Sequence, residues 1–301
     1  MRRIDFVSLR LFVAVAEELS LTRAGVKEHL SLAAVSKRIS DLESHIGCAL
    51  LYRQHKGVAL TPAGQSLLHH ARNLMANVEQ MHADLSEFSS GVKGHVRIQA
   101  NASATIEYLP DSLSTFTQAF PEVKIDLEER PSAEIVRSVR DGTTDIGIYA
   151  GHLDAHDLEV FSYRRDSLVL VTRKDHPLAK QTTVRMADTL DYEHICFQQD
   201  TALHARLQNT AIDLDRSLRI RIQLRSFEAI CRMIHAGMGI GILPHHAIRN
   251  HLPAMDLVTV DFDEPWAARE LRLCVRSYDA LSVIARQMVD HLLAESRSTS
   301  G

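Results

Sequence analysis

Small and basic side chains cluster along residues 31–40 of this 301-residue chain. Ala33, Ser36, Lys37 and Ser40 lie three or four apart, the spacing of one helix face, with Ser31, Leu32 and Arg38 alongside. Lysine and arginine neutralise phosphate, serine hydroxyls bond phosphate oxygens or base edges, and small side chains let a helix approach a phosphate-lined groove closely. Thr22 and Arg23 precede this stretch, and Arg53 and Lys56 follow it in a polar turn. Farther along, Asn101-Ala102-Ser103-Ala104-Thr105 and Arg130-Pro131-Ser132 each follow a strand-like run and lead into a helical one. Ligands of open α/β lobes sit beyond the carboxyl ends of strands, near helix starts, and these polar groups suit an anionic or hydroxylated small molecule. The same residue types cap helices, so ordinary capping by Ser103 and Ser132 is the competing reading.

Other groupings fail on order or spacing. Gly237-Met238-Gly239-Ile240-Gly241 follows a helix and leads into a strand, the reverse of a dinucleotide-binding loop. The 17 histidines include His69-His70, His245-His246 and the run His152-Leu153-Asp154-Ala155-His156-Asp157, yet none shows a metal-ligand spacing. With no GxSxG elbow and no phosphate-binding loop, neither catalytic residues nor a metal nor a cofactor is expected, and the chain reads as a non-enzyme. Cys48, Cys196, Cys231 and Cys274 never form CxxC, which fits a reducing cytoplasm and inert structural thiols.

The elements that would position the first cluster are short helices. Residues 7–19, 21–30 and 31–46 are the expected helices, and in the third Val35, Ile39, Leu42 and Ile46 step by 4, 3 and 4 onto one buried face. The first is an amphipathic helix rather than an export signal, since Asp5, Arg10, Glu17 and Glu18 interrupt or flank its apolar residues. Residues 53–58 read as a β wing. Thr61-Pro62 then opens a long helix in which Leu67, Ala71, Leu74, Val78, Met81, Leu85 and Phe88 keep a heptad seam that needs a partner. Beyond 89–91, strand-like and helical runs alternate: strands at 95–100, 123–129, 144–149, 167–172, 194–197, 219–224 and 240–243, and helices at 106–120 and 132–141, which predicts parallel sheets in an α/β body. Residues 168–171 and 271–275 are the expected crossovers between two lobes. No apolar run approaches the ~20 residues of a membrane span. Charge divides the same way: residues 1–60 hold nine Lys and Arg against six Asp and Glu, net +3, which leaves −7 for the rest of a chain of formal charge −4. A polyanion-binding head on an acidic body is implied.

Phe12-Val13-Ala14-Val15-Ala16-Glu17, Leu21-Thr22-Arg23-Ala24, Ser31-Leu32-Ala33-Ala34-Val35-Ser36, Leu50-Leu51-Tyr52-Arg53 and Leu60-Thr61-Pro62-Ala63-Gly64 strongly resemble the LysR-type transcriptional regulators. Leu109-Pro110, Phe120-Pro121, Asp145-Ile146-Gly147-Ile148, His176-Pro177-Leu178 and the run 236–244 resemble that family's effector domain, so the likeness spans about 4–293. It implies an N-terminal all-α winged helix-turn-helix (1–60), a linker and dimerisation helix (61–90), and an α/β two-lobed effector domain similar to type 2 periplasmic solute-binding proteins (91–301). Lobe I would take about 91–166 and 270–295, and lobe II about 167–269. The resemblance assigns Thr22, Arg23, Ser31, Leu32, Ala33, Ser36, Lys37, Arg38, Ser40, Arg53 and Lys56 to promoter DNA. It assigns Asn101, Ser103, Ala104, Thr105, Arg130, Ser132, Phe197, Thr201 and Phe227 to a small-molecule effector between the lobes, and the seam from Leu67 to Phe88 to a homodimer or homotetramer. RNA polymerase would be a partner when the protein activates. Leu32 and Ala33 stand where the family usually has a polar residue and often proline, which weakens the expectation of a base contact from position 32. Arg130 replaces a small residue usual in the family, either as a carboxylate clamp or as a surface charge.

Overall fold

Asp5 opens the first helix, α1 (Phe6–Glu18), by accepting hydrogen bonds from the Ser8 amide at 2.8 Å and the Ser8 hydroxyl at 2.7 Å. The computed structural model describes residues 4–54, 57–90, 94–151 and 153–298. They divide into two compact units, one running up to residue 88 and joined by 141–143, the other formed by the remainder.

In the first unit Ser20 caps α2 (Leu21–Lys27), which stops three residues short of the expected end. The cause is local. The Leu30 amide turns back to the Gly25 carbonyl at 2.8 Å, so the chain has already left the helix. A Cβ on Gly25 would lie 2.7 Å from the Leu30 carbonyl oxygen, so only glycine lets the turn close this tightly. Ser31 caps α3 (Leu32–Ile46), whose Val35, Ile39 and Leu42 are buried against Leu11, Phe12 and Val15. The Glu43 carboxylate accepts from the amides of Leu50 and Leu51 at 2.8 and 3.2 Å and so ties α3 to the wing. The wing is the antiparallel pair β1 (Leu51–Gln54) and β2 (Gly57–Leu60). Gly57, at φ +104°, packs so closely on the Leu19 carbonyl that a Cβ would sit 2.5 Å from it. Thr61 accepts from the Gly64 amide at 3.0 Å and starts α4 (Pro62–Ser90), as its sequence predicts.

The heptad seam of α4 is divided by its surroundings. Ala71 is buried against Leu9 and Val13 of α1, with Leu67 packed beside them, so these two positions serve the core of their own chain. Leu74 and Met81 are 45% and 49% exposed, and Val78 is half-buried. The side chains of Leu85 and Phe88 lie outside the described residues.

The second unit runs β3 (His95–Ala100), α5 (Ala102–Glu107), α6 (Leu109–Ala119), β4 (Lys124–Glu129), α7 (Ser132–Arg140), β5 (Ile146–Ala150) and the long β6 (Glu159–Arg173). It continues through β7 (Thr183–Val184), α8 (Met186–Thr189), β8 (Glu193–Phe197), α9 (Ala202–Ile212), β9 (Arg219–Leu224), α10 (Phe227–His235), β10 (Gly241–Pro244), α11 (His245–Ile248), β11 (Leu257–Phe262), β12 (Ala268–Val275) and α12 (Val283–Ser298). The sheet order is β4-β3-β5-β12-β6-β11-β7, with β10 also on β6 and with β8 and β9 paired apart. Parallel pairing holds for β3, β4 and β5 and for β8 and β9. It fails at β6 and β12, which run antiparallel to each other and to their neighbours because they carry the chain out of one lobe and back. The crossing itself lies just before the expected segments. Residues 168–171 already pair with β10 and β11, and 271–274 pair with β5, which leaves 166–167 and 268–269 as the bridge. Each lobe has its own core, one around Ile98, Phe116, Ile148 and Met288, the other around Leu168, Ile195, Ile230 and Leu243. Among the described residues no helix is long and apolar enough to cross a membrane.

Candidate functional site

On α3 the buried face leaves Leu32, Ala33, Lys37 and Arg38 exposed and Ser36 and Ser40 half-buried, so the small and basic residues share the outward side of one helix. Ser31 is the N-cap, accepting from the Ala34 amide at 3.3 Å. Its neighbours differ in how they are held. Arg38 lies 3.7 Å from Asp5, and Arg23 reaches the Glu18 carboxylate at 3.2 Å and the Glu18 carbonyl. Among the described residues Lys37 has no carboxylate partner, which leaves a full charge on an open face. Thr22 is exposed on α2. Lys56 and the Arg53 side chain lie outside the described residues.

The second unit holds a cleft of about 280 Å³ walled by both lobes. Seven of the nine expected effector residues line it: Asn101, Ser103, Arg130 and Ser132 from one lobe, and Phe197, Thr201 and Phe227 from the other. Ala104 is buried within α5, and the Thr105 hydroxyl donates to the Asn101 carbonyl at 3.1 Å, so neither reaches the cleft. Capping and lining coincide at two positions. Asn101 caps α5 by accepting from the Ala104 amide at 3.0 Å, and Thr201 caps α9 by accepting from the His204 amide at 3.2 Å. Ser132 does not cap α7 in this way; its hydroxyl accepts from the Ala150 amide at 3.1 Å and joins that helix to the end of β5. Phe197 and Phe227, with ring centres 4.6 Å apart, form an apolar wall. Arg130 sits at the rim, held by Glu128 and 3.8 Å from Glu134.

Sequence reasoning missed Arg269. It lies opposite Asp166 across the two crossover strands and is bound to it by Nε at 2.9 Å, with both side chains almost wholly buried. The Arg269 guanidinium also donates to the Ser103 hydroxyl at 2.8 Å, which fixes that residue at the cleft. The partners are 103 and 166 positions away in sequence, so no local pattern points to them. Nearby, Glu107 of α5 meets His246 of α11 at 3.0 Å. Burial raises the Glu107 carboxyl to about 7 and lowers the His246 imidazole.

Cys196 and Cys231 are poor redox groups in this setting. Burial pushes the Cys196 thiol up to about 12 and the Cys231 thiol up to about 11, far from the thiolate form that reacts. Among the described residues no three His, Cys, Asp or Glu side chains gather as metal ligands.

Two family models match the chain: "Bacterial regulatory helix-turn-helix protein, lysR family" over residues 6–65 and "LysR substrate binding domain" over residues 89–297. The Escherichia coli K12 protein described as an uncharacterized HTH-type transcriptional regulator, YnfL, is 30% identical over 295 residues, covering 96% of this chain and 98% of its own. Full-length CbnR solved with its target DNA superposes at a TM-score of 0.64 with 19% identity, covering 97% of this chain and all of that one. The effector-binding domain of QuiR, solved with shikimate, matches at a TM-score of 0.60 and 18% identity over 68% of this chain and 98% of that one. The two structures share the fold. With matched models over most of its length and a relative this similar across nearly all of it, the chain belongs to the LysR family of transcriptional regulators, with an N-terminal helix-turn-helix and a two-lobed effector-binding domain.

Proposed function

We propose that this protein binds promoter DNA in the cytoplasm through the outward face of α3 and the wing, and that a small anionic or hydroxylated effector in the interlobe cleft controls that binding. The observation that carries the effector reading is the set of donors left over in the cleft. Asn101, Ser103 and Ser132 each use an oxygen to accept a structural hydrogen bond, while the Asn101 amide and the two hydroxyl hydrogens stay available to a ligand oxygen. Phe197 and Phe227 give the same ligand an apolar wall. CbnR with its target DNA and QuiR with shikimate support the two halves of the reading by analogy of fold.

DNA recognition by one such head buries too little surface for tight specific binding, since single modules contribute ~600–1,000 Å². Pairing through Leu74, Val78 and Met81 of α4 would place two heads on one site as a homodimer, with a homotetramer as the larger assembly. Effector binding then shifts the population between lobe arrangements and, through the paired helices, the bend imposed on the promoter and the access of RNA polymerase. The test is a thermal-shift screen of the whole protein against small carboxylates and polyols. A true effector at 100 times its dissociation constant adds ~2.7 kcal/mol of stability. Ser132→Ala, by removing one hydrogen bond, should weaken that ligand about tenfold. A stabilising ligand whose affinity is unchanged by Ser132→Ala and by Phe227→Ala binds elsewhere and removes the cleft from the account.

A further inference from the structure

Where the two crossover strands pass, the second unit has another recess of about 410 Å³. Four guanidinium groups line it, Arg165, Arg206, Arg269 and Arg272, against the carboxylates of Asp166 and Glu270. The cleft itself has no such excess: Arg130, Arg225 and Arg269 there face Glu129, Glu134 and Asp200.

Both carboxylates of the recess are already engaged. Asp166 is bound to Arg269, and Glu270 accepts from Arg272 at 3.1 Å and from the Ser162 hydroxyl at 2.6 Å. Arg165 lies opposite Glu270 in the strand register and helps to lower its carboxyl, but among the described residues it has no carboxylate within 4 Å. Arg206 reaches over from α9 and donates only to main-chain oxygens, those of Trp266 at 2.6 Å and Ala268 at 3.0 Å. It is half-buried, and burial together with the neighbouring Arg269 charge disfavours its protonated form. An anion in the recess would relieve that electrostatic deficit, and paired guanidinium forks match the oxygens of phosphate and carboxylate.

We propose that this recess is a second ligand site, separate from the effector cleft, which binds a small dianionic oxyanion through Arg165 and Arg206. The ligand would be inorganic phosphate, a phosphomonoester or a dicarboxylate, all of which present two charges and several acceptor oxygens. Gly151 of the first lobe and Arg206 of the second both line the recess, so a bound anion spans the lobes. Arg269 lines this recess and the cleft alike, so it lies between the two ligands. The site stands whether or not the cleft binds an effector.

The experiment titrates the full-length protein with inorganic phosphate, and separately with succinate, at constant ionic strength set with sodium chloride, reading the unfolding midpoint and the dissociation constant. Phosphate should stabilise the chain beyond the sodium chloride control. Arg165→Gln and Arg206→Gln should each raise its dissociation constant at least fivefold, and Arg225→Gln in the cleft should leave it within twofold. Arg165 is exposed and, among the described residues, makes no hydrogen bond or close ion pair, so its variant keeps the test decisive if Arg206→Gln does not fold. Succinate binding with the same dependence on Arg165 assigns the site to dianions generally, and its failure where phosphate succeeds assigns it to phosphate groups. Stabilisation no greater than that of sodium chloride, or stabilisation that survives Arg165→Gln, or equal loss in Arg225→Gln, overturns the proposal.

Discussion

Lys37 stands apart from the basic residues around it. Arg10, Arg23, Lys27 and Arg38 all have carboxylates within 4 Å, whereas Lys37 points its charge from α3 with no such partner among the described residues. A lysine that neutralises one phosphate releases one condensed counterion, so Lys37→Ala should weaken binding to any DNA sequence and reduce the slope of log affinity against log salt by ~0.9. Titrations at several salt concentrations check this, and an unchanged slope removes the phosphate contact. Glu107 offers a second test. Burial raises its carboxyl from the ordinary 4.5 to about 7, so its contribution to stability is fully present below about pH 4.5 and is lost as pH rises through about 7. The loss amounts to roughly 3 kcal/mol for a carboxyl this well buried. Glu107→Gln cannot ionise and should flatten the decline in stability between pH 5 and pH 8, while a wild-type decline that persists in the variant points to other groups. Single residues were legible in the sequence where chemistry is local, as for the cap Thr61, whereas the cap of α5 is Asn101 and not the expected Ser103. Arg269 was not, because its role depends on Asp166 and Ser103, which only the folded strands bring near it.

Elements with a clear period were the most legible. The 4, 3, 4 spacing of Val35, Ile39, Leu42 and Ile46 anticipated α3, and alternation anticipated β3 and β9 to the residue. The expected helix over 106–120 is instead α5 followed by α6, since Pro110 occupies the first turn of α6 and cannot continue a helix begun at Ala102. Only the second half of β6 was visible, because its first half, 159–165, is mostly exposed or half-buried and carries charged residues. The seam of α4 shows the limit of periodicity. Leu67 and Ala71 keep the heptad register yet pack on α1, and only position-specific burial separates them from Leu74 and Met81. If the exposed part joins two chains, Leu74→Glu with Met81→Glu removes two buried side chains from the interface, ~3 kcal/mol or more, and should weaken the dimer at least a hundredfold. Sedimentation at micromolar concentration reads the outcome, and a double variant that sediments like the wild type places the interface elsewhere.

At the scale of the whole molecule, the chain forms two compact units of different architecture, and the +3 of residues 1–60 lies within the first of them. A head of such modest charge gains little from electrostatics alone, so the proposed recognition rests on α3 in the groove and on doubling the head. The central claim is therefore specific DNA binding by that helix. The most direct measurement incubates the full-length protein with a fragmented genome of its source, recovers the bound fragments and sequences them, with Lys37→Ala in parallel. The account predicts a small set of enriched promoter regions sharing two related half-sites, with the same sites at lower yield for the variant. Uniform recovery of fragments, or enrichment of single unpaired sites independent of α3, would contradict it.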